Sequence, residues 1–167
     1  MIQSRAENRV YSCCFTGHRP EKLSLPETTV CQRLDEAVEL ALKDGIFTFI
    51  CGMARGVDLW AGRIVLLKKK IRPEIYLICA TPFVGFENRW DSYWRSLYSL
   101  ILSHADRTLA ISDKYFPGCF RRRNEWMVSH SQLVIAAYNG KAGGTRNTVL
   151  YAKKCGVPVY NVLEHEI

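Results

Sequence analysis

No stretch of this sequence approaches the roughly 18 consecutive apolar residues of a membrane-spanning helix, so a membrane partner is not expected. It lacks a C-x-x-C pair and any Cys/His group at zinc spacing, and its odd count of 7 cysteines fits a disulfide framework poorly. No low-complexity tract or internal repeat interrupts it, which sets aside solenoids and long polar tails. Neither G-x-G-x-x-G nor G-x-x-x-x-G-K-[ST] occurs, so two widespread phosphate-loop fingerprints are missing. Residues 1–9 are polar and have no apolar segment of the secretory kind. They are expected to form a partly ordered N-terminal lead-in to the first strand.

What remains is an ordinary globular composition, 48% hydrophobic and 23% charged over 167 residues, enough for about one domain spanning residues 10–167. Cys13, Cys14, Cys51 and Cys79 lie in or beside apolar β-like runs, where cysteine acts as a small hydrophobe. That pattern predicts reduced thiols and a cytoplasmic location, with no metal site. The net charge of +7 favours acidic partners without naming one. Lys68, Lys69, Lys70 and Arg72 follow a helix, as do Lys153 and Lys154, where cations complement the helix dipole. The run Arg121-Arg122-Arg123 stands apart, because it adjoins a candidate site.

Short apolar runs alternate with amphipathic ones. Strands are expected at Val10–Thr16, Ile46–Cys51, Ile75–Ala80, Arg107–Ile111, Leu133–Ala137 and Pro158–Val162. Between them, helices are expected from about Glu27 to Lys43, then one with Val57, Trp60, Ala61 and Ile64 on its buried face, then from about Glu87 to Ser103, over Arg122–His130 and over Thr145–Lys154. Pro82 is expected to break the chain after the third strand. Strands separated by helices in this order form a mostly parallel, roughly six-stranded sheet with helices on both faces. The fold class is therefore α/β, a single Rossmann-like three-layer domain, and its ligand belongs beyond the carboxyl ends of the strands.

Three loops at that edge carry glycine. After strand one, Gly17 lets the backbone approach a ligand and Arg19 offers a fork suited to phosphate; the alternative is a tight surface turn. His18 has no visible acid or base partner and suits hydrogen bonding better than catalysis. After strand two, Gly52 and Gly56 bracket Met53, Ala54 and Arg55 in a turn that opens a helix, where free N–H groups converge. Asp58 either accepts from a ribose hydroxyl or complements the helix dipole. After strand five, Gly143 and Gly144 leave no side chain between backbone and ligand, and Thr145 is either a phosphate donor or the N-cap. Thr81-Pro82-Phe83 supplies a wall, with Phe83 as a stacking surface. The row Trp90, Trp94 and Tyr98 reads as core or interface, and Arg123-Asn124-Glu125 opens the short helix.

Together these motifs resemble the SLOG superfamily, the Rossmann-like group that includes the DNA-processing protein DprA and the LOG cytokinin-activating enzymes. Within it the chain looks most like the YpsA-like branch. The resemblance runs from Thr16-Gly17-His18-Arg19-Pro20 to Val157-Pro158-Val159-Tyr160. Gly52-Met53-Ala54-Arg55-Gly56-Val57-Asp58 is similar to the DprA form of the second loop, and Arg123-Asn124-Glu125-Trp126-Met127 to an arginine-led helix in both relatives. Gly143-Gly144-Thr145 resembles the phosphate-binding glycines of the group.

The resemblance implies a nucleotide-type ligand such as a nucleoside phosphate, ADP-ribose or NAD, with phosphate at the glycine loops and base or ribose nearer Gly17 and Asp58. No further cofactor is expected. LOG enzymes carry a glutamate where this chain has Asn147, and an amide cannot supply that carboxylate's charge. The leading expectation is thus binding or sensing without strong catalysis. Next stands N-glycosidic hydrolysis, with Glu125 and Arg123 as candidate catalytic residues. Third stands nucleic-acid binding of the DprA kind. A homodimer is a candidate assembly.

Overall fold

The structure, a computed structural model, describes residues 5–164. Residues 1–4 of the expected lead-in lie outside the described residues. Ala6 is buried, and its carbonyl accepts from the Thr48 hydroxyl, so the described end of the lead-in packs on the fold.

Six parallel strands form one sheet: β1 (Ser12–Gly17), β2 (Thr48–Cys51), β3 (Tyr76–Phe83), β4 (Arg107–Ser112), β5 (Leu133–Ala137) and β6 (Val159–Asn161). Their spatial order is β4-β3-β2-β1-β5-β6. Five helices connect them: α1 (Glu27–Lys43), α2 (Val57–Lys69), α3 (Ser92–His104), α4 (Cys119–Ser129) and α5 (Gly144–Lys154). The expected α/β, Rossmann-like architecture with helices on both faces is what the chain adopts.

The alternation of strand side chains divides the core in two. Cys13 and Phe15 of β1 join the cluster built with α1, α2 and α3, while Cys14 joins the cluster built with α4 and α5. Helix α1 buries Val30, Leu34, Ala37, Val38 and Ala41, one stripe at helical spacing. It ends at Gly45, whose φ of +84° lets the Ile46 N–H turn back onto the Ala41 carbonyl at 3.0 Å.

Four local expectations are corrected. Residues Arg9–Tyr11 form a 3-10 turn rather than the start of β1, because the Asn8 side chain accepts from the Val10 N–H at 3.0 Å. Pro82 does not break the chain, and β3 runs on to Phe83. The β2 register ends at Cys51 opposite Cys79, so beyond that point β3 pairs only with β4 and the missing proline N–H costs no ladder bond. Helix α3 begins at Ser92 rather than near Glu87, capped by Asp91, which accepts from the Trp94 N–H at 3.1 Å. Helix α4 begins at Cys119 behind Gly118, so Arg123-Asn124-Glu125 lies in its middle instead of opening it.

Strand β4 is also less covered than expected. It lies at the sheet edge, and Arg107, Thr108 and Ala110 are exposed. The seven cysteines are all free thiols, and Cys13, Cys14, Cys51 and Cys79 are buried in the sheet. Among the described residues, no helix is long and apolar enough to cross a membrane.

Candidate functional site

The strand order fixes where a crevice must open. Strands β1 and β5 are neighbours, but the chain leaves β1 toward α1 on one face and leaves β5 toward α5 on the other. Diverging loops at such a switch point leave a cleft beyond the strand ends. A cleft of about 540 Å³ lies there, within the usual range for small-molecule sites.

Eleven of the candidate ligand-binding residues line it: Gly17, His18, Arg19, Ala54, Arg55, Asp58, Arg123, Asn124, Gly143, Gly144 and Thr145. Gly52, Met53, Gly56 and Thr81 lie outside the lining. Met53 is fully buried in the core. Thr81 is buried too, its hydroxyl 3.4 Å from the Leu109 carbonyl. A Cβ on Gly56 would stand 2.7 Å from Pro20 Cδ, so this glycine seats the second loop on the first.

Gly17 likewise serves packing. A Cβ there would fall 2.5 Å from Val57 Cβ, so glycine lets the start of α2 close onto the end of β1. The loops are tied further by Arg55 and Glu21, 4.0 Å apart, and by the Asn139 side-chain amide donating to the Lys22 carbonyl at 2.9 Å.

The floor of the cleft holds a buried acid and a buried base. Asp58 is 7% exposed and Arg123 4%. Arg123 donates to the Gly52 carbonyl and, through Nε, to Asn124 Oδ1 at 2.7 Å. Asp58 Oδ2 accepts from the Ala54 N–H at 3.1 Å. Burial pushes the Asp58 carboxyl up to about 6, opposed by the Arg123 charge and the Ala54 bond. A Cβ on Gly52 would lie 2.8 Å from Asp58 Oδ2 and 3.2 Å from the Arg123 guanidinium. Gly52 therefore makes room for the pair rather than facing a ligand.

The fifth-strand loop is different. Gly143 takes the N-cap position of α5 with φ +139° and ψ −169°, a conformation essentially restricted to glycine. Thr145 is therefore not the N-cap, and its hydroxyl makes no hydrogen bond among the described residues. No side chain caps α5 and no acid sits in its first turn, so its leading N–H groups remain free to receive an anion. Arg19, Lys22, Arg55 and Arg123 line the same cleft against Glu21 and Asp58, leaving an excess of positive charge.

His18 is 3% exposed, and its Nε2 has no partner. Its ring leans on Tyr138 at a centroid distance of 5.6 Å. Burial, then Lys22 and Lys141, lower its pKa, which favours the neutral imidazole.

Seven lining residues were not among the candidates: Phe15, Thr16, Glu21, Lys22, Phe86, Trp90 and Phe120. Trp90 precedes α3 instead of lying on it, which moves it from the expected core row into the cleft. Phe83 does not line the cleft; it stands behind the wall, edge-on to Phe86 at 5.9 Å and to Phe120 at 6.1 Å. The available signal was the Asp91-Ser92 cap, which marks a helix start after Trp90.

Glu125 and Asn147 line a neighbouring cleft of about 750 Å³ between α4 and α5. Glu125 Oε1 accepts there from Arg121 Nε at 2.8 Å, and neither residue lines the first cleft. The carboxylates that do line it are Glu21 and Asp58.

Comparison with known proteins agrees with this picture. A family model described as the YspA SLOG family matches residues 13–155. The chain is similar to the uncharacterised SPbeta prophage-derived protein YoqJ of Bacillus subtilis, 36% identical over 128 residues, covering 70% of this chain and 75% of that protein. It is also similar to the UPF0398 protein BH1768 of Halalkalibacterium halodurans, 27% identical over 148 residues and covering 84% and 78%. In fold it resembles DNA processing protein A from Helicobacter pylori, whose structure was determined for its single-stranded DNA binding mode, at a TM-score of 0.66 and 19% identity. The same protein from Streptococcus pneumoniae matches at 0.62 and 16%. These matches cover 93% and 90% of this chain but 66% and 49% of those longer proteins. With the model spanning both the first strand and the glycine loop, the chain belongs to the YspA SLOG family.

Proposed function

We propose that this protein binds a nucleotide-type ligand, its phosphate held at the start of α5 by Gly143, Gly144 and Thr145. The observation that carries the reading is the uncapped helix N-terminus behind a Gly143 in a glycine-only conformation, opening on a cleft with excess positive charge. A phosphate there meets free N–H donors, the helix dipole and cationic side chains together. Binding or sensing suits the site better than hydrolysis. Asp58 is engaged by Ala54 and held beside Arg123, and Glu125 opens on the other cleft.

The test is thermal denaturation against nucleoside mono- and diphosphates, ADP-ribose and NAD. At 100 times the dissociation constant the gain should be about 2.7 kcal/mol. Gly144→Val should keep its fold and lose that gain, because a Cβ at position 144 meets nothing closer than 4.0 Å yet projects at the shared rim of the clefts. No shift across the whole panel would count against the reading.

A second reading has its own support in the net charge of +7 and in the fold shared with DNA processing protein A. If single-stranded DNA is the ligand, an oligonucleotide should bind more tightly than any mononucleotide. Its affinity should also fall steeply between about 50 and 200 mM salt.

A further inference from the structure

We infer that the aromatic wall formed by Phe86, Trp90 and Phe120 is a base-stacking subsite, so that the ligand is a nucleoside phosphate lying across the strand ends in a fixed direction. The inference rests on the phosphate reading above and adds where the rest of the ligand goes.

The direction comes from the sheet. Moving across the strand ends from β5, the order is β5, β1, β2, β3. The phosphate loop follows β5, His18 follows β1, the Ala54–Asp58 turn follows β2, and Phe86 and Trp90 follow β3. Neighbouring strands are about 4.8 Å apart, so the parent strands of the two end loops lie about 14 Å apart, more than one nucleotide spans, and the base reaches the near edge of the wall at Phe120.

Helix α4 bridges part of that distance. Asn124 Nδ2 stands 4.0 Å from where a Gly144 Cβ would be, and Phe120 lies four residues, about 6 Å, back along the same helix. Phosphate, ribose and base follow one another in a nucleotide in the sequence that loop, His18 and aromatic wall follow one another here.

The wall has the character of a stacking platform. Phe120 is 39% exposed although it belongs to an aromatic cluster. Phe86 and Trp90 meet edge to face at 5.0 Å, an arrangement that fixes both rings. The Arg123 guanidinium carbon lies 6.0 Å from the Phe120 ring centroid. An aromatic ring backed by a cation is a surface on which any base can stack.

Between the two ends sits the unpartnered, buried Nε2 of His18. A ribose hydroxyl is the group of a nucleotide that falls at that station. A neutral ring nitrogen can exchange a hydrogen bond with it in either sense.

The test compares 5′-AMP with ribose 5-phosphate, which keeps the phosphate and sugar and lacks the base. Titration calorimetry on the wild type, Phe120→Ala, Phe120→Leu and Trp90→Ala should show the base strengthening wild-type binding by about tenfold or more. The alanine variants should lose that advantage while ribose 5-phosphate affinity stays within about threefold. Leucine at 120 stays large and apolar, so it should lose the stacking with less loss of packing than alanine. Tryptophan fluorescence of the wild type should be quenched by 5′-AMP and not by ribose 5-phosphate. The quench should vanish in Trp90→Phe.

If both compounds bind the wild type equally, or the variants weaken both alike, the stacking subsite is refuted and the phosphate reading stands. If neither compound binds at all, the phosphate reading falls and the subsite with it.

Discussion

Replacing Gly52 with alanine should destabilise the fold even though the residue carries no side chain and touches no ligand. The new methyl would stand 2.8 Å from Asp58 Oδ2, closer than carbon and oxygen pack without a shift, and 3.2 Å from the Arg123 guanidinium. Neither partner can swing into water, since Asp58 is 7% and Arg123 4% exposed. Overpacking a rigid interior costs about 1–3 kcal/mol. The expected loss is of that size, or about 2–12 °C in melting temperature for a chain of this size.

Urea and thermal unfolding of Gly52→Ala beside Gly144→Ala would measure it. The control should lie within about 0.5 kcal/mol of wild type, because its Cβ meets nothing nearer than 4.0 Å. Removing Asp58 should relieve the clash, so Gly52→Ala and Asp58→Ala together should be non-additive by at least about 1 kcal/mol. A Gly52→Ala protein as stable as wild type, or a strictly additive double variant, would refute the packing explanation.

Two further outcomes concern protons and turnover. Burial raises the Asp58 carboxyl from 3.8 to about 6 in the folded state, so its contribution to stability is full below about pH 3.8 and is lost as pH rises through about 6. Asp58→Asn lacks that limb. Its stability relative to wild type should improve by up to about 3 kcal/mol between about pH 4 and pH 7.5, and a pH-independent difference would contradict this. Free-base release from nucleoside monophosphates should stay far below about 1 s⁻¹. It should stay there in Asn147→Glu as well, since position 147 opens on the other cleft; turnover at ordinary enzyme rates in either protein would overturn the binding reading.

Much of the fold was legible because its signals are local and repeated. The α1 span from Glu27 to Lys43 and the β5 span from Leu133 to Ala137 follow from clean periodicity and from stop signals such as Gly45. The glycine loop after β5 was legible for the same reason. The misses are places where a distant neighbour decides. Pro82 stays in β3 because β2 has already ended beside it. Gly52 reads as ligand-facing from sequence, yet it lies outside the cleft lining and is required by the Asp58 and Arg123 side chains that the fold brings to it, while Gly17 lines the cleft and is also required by Val57. The aromatic wall was hidden by placing the start of α3 about five residues too early, which turned Trp90 from a cleft residue into a core one. Asn147 could be compared with an enzyme motif from sequence, but only the packing of α4 against α5 shows which cleft it faces.

A structure of the protein with bound 5′-AMP, determined crystallographically, bears most directly on the phosphate site. The expected result is a phosphate whose oxygens lie within about 2.7–3.2 Å of the backbone nitrogens that open α5, at Gly144 and Thr145. A phosphate seated instead on Arg121 and Lys154 in the neighbouring cleft, with the Gly143–Thr145 loop unliganded, would contradict it.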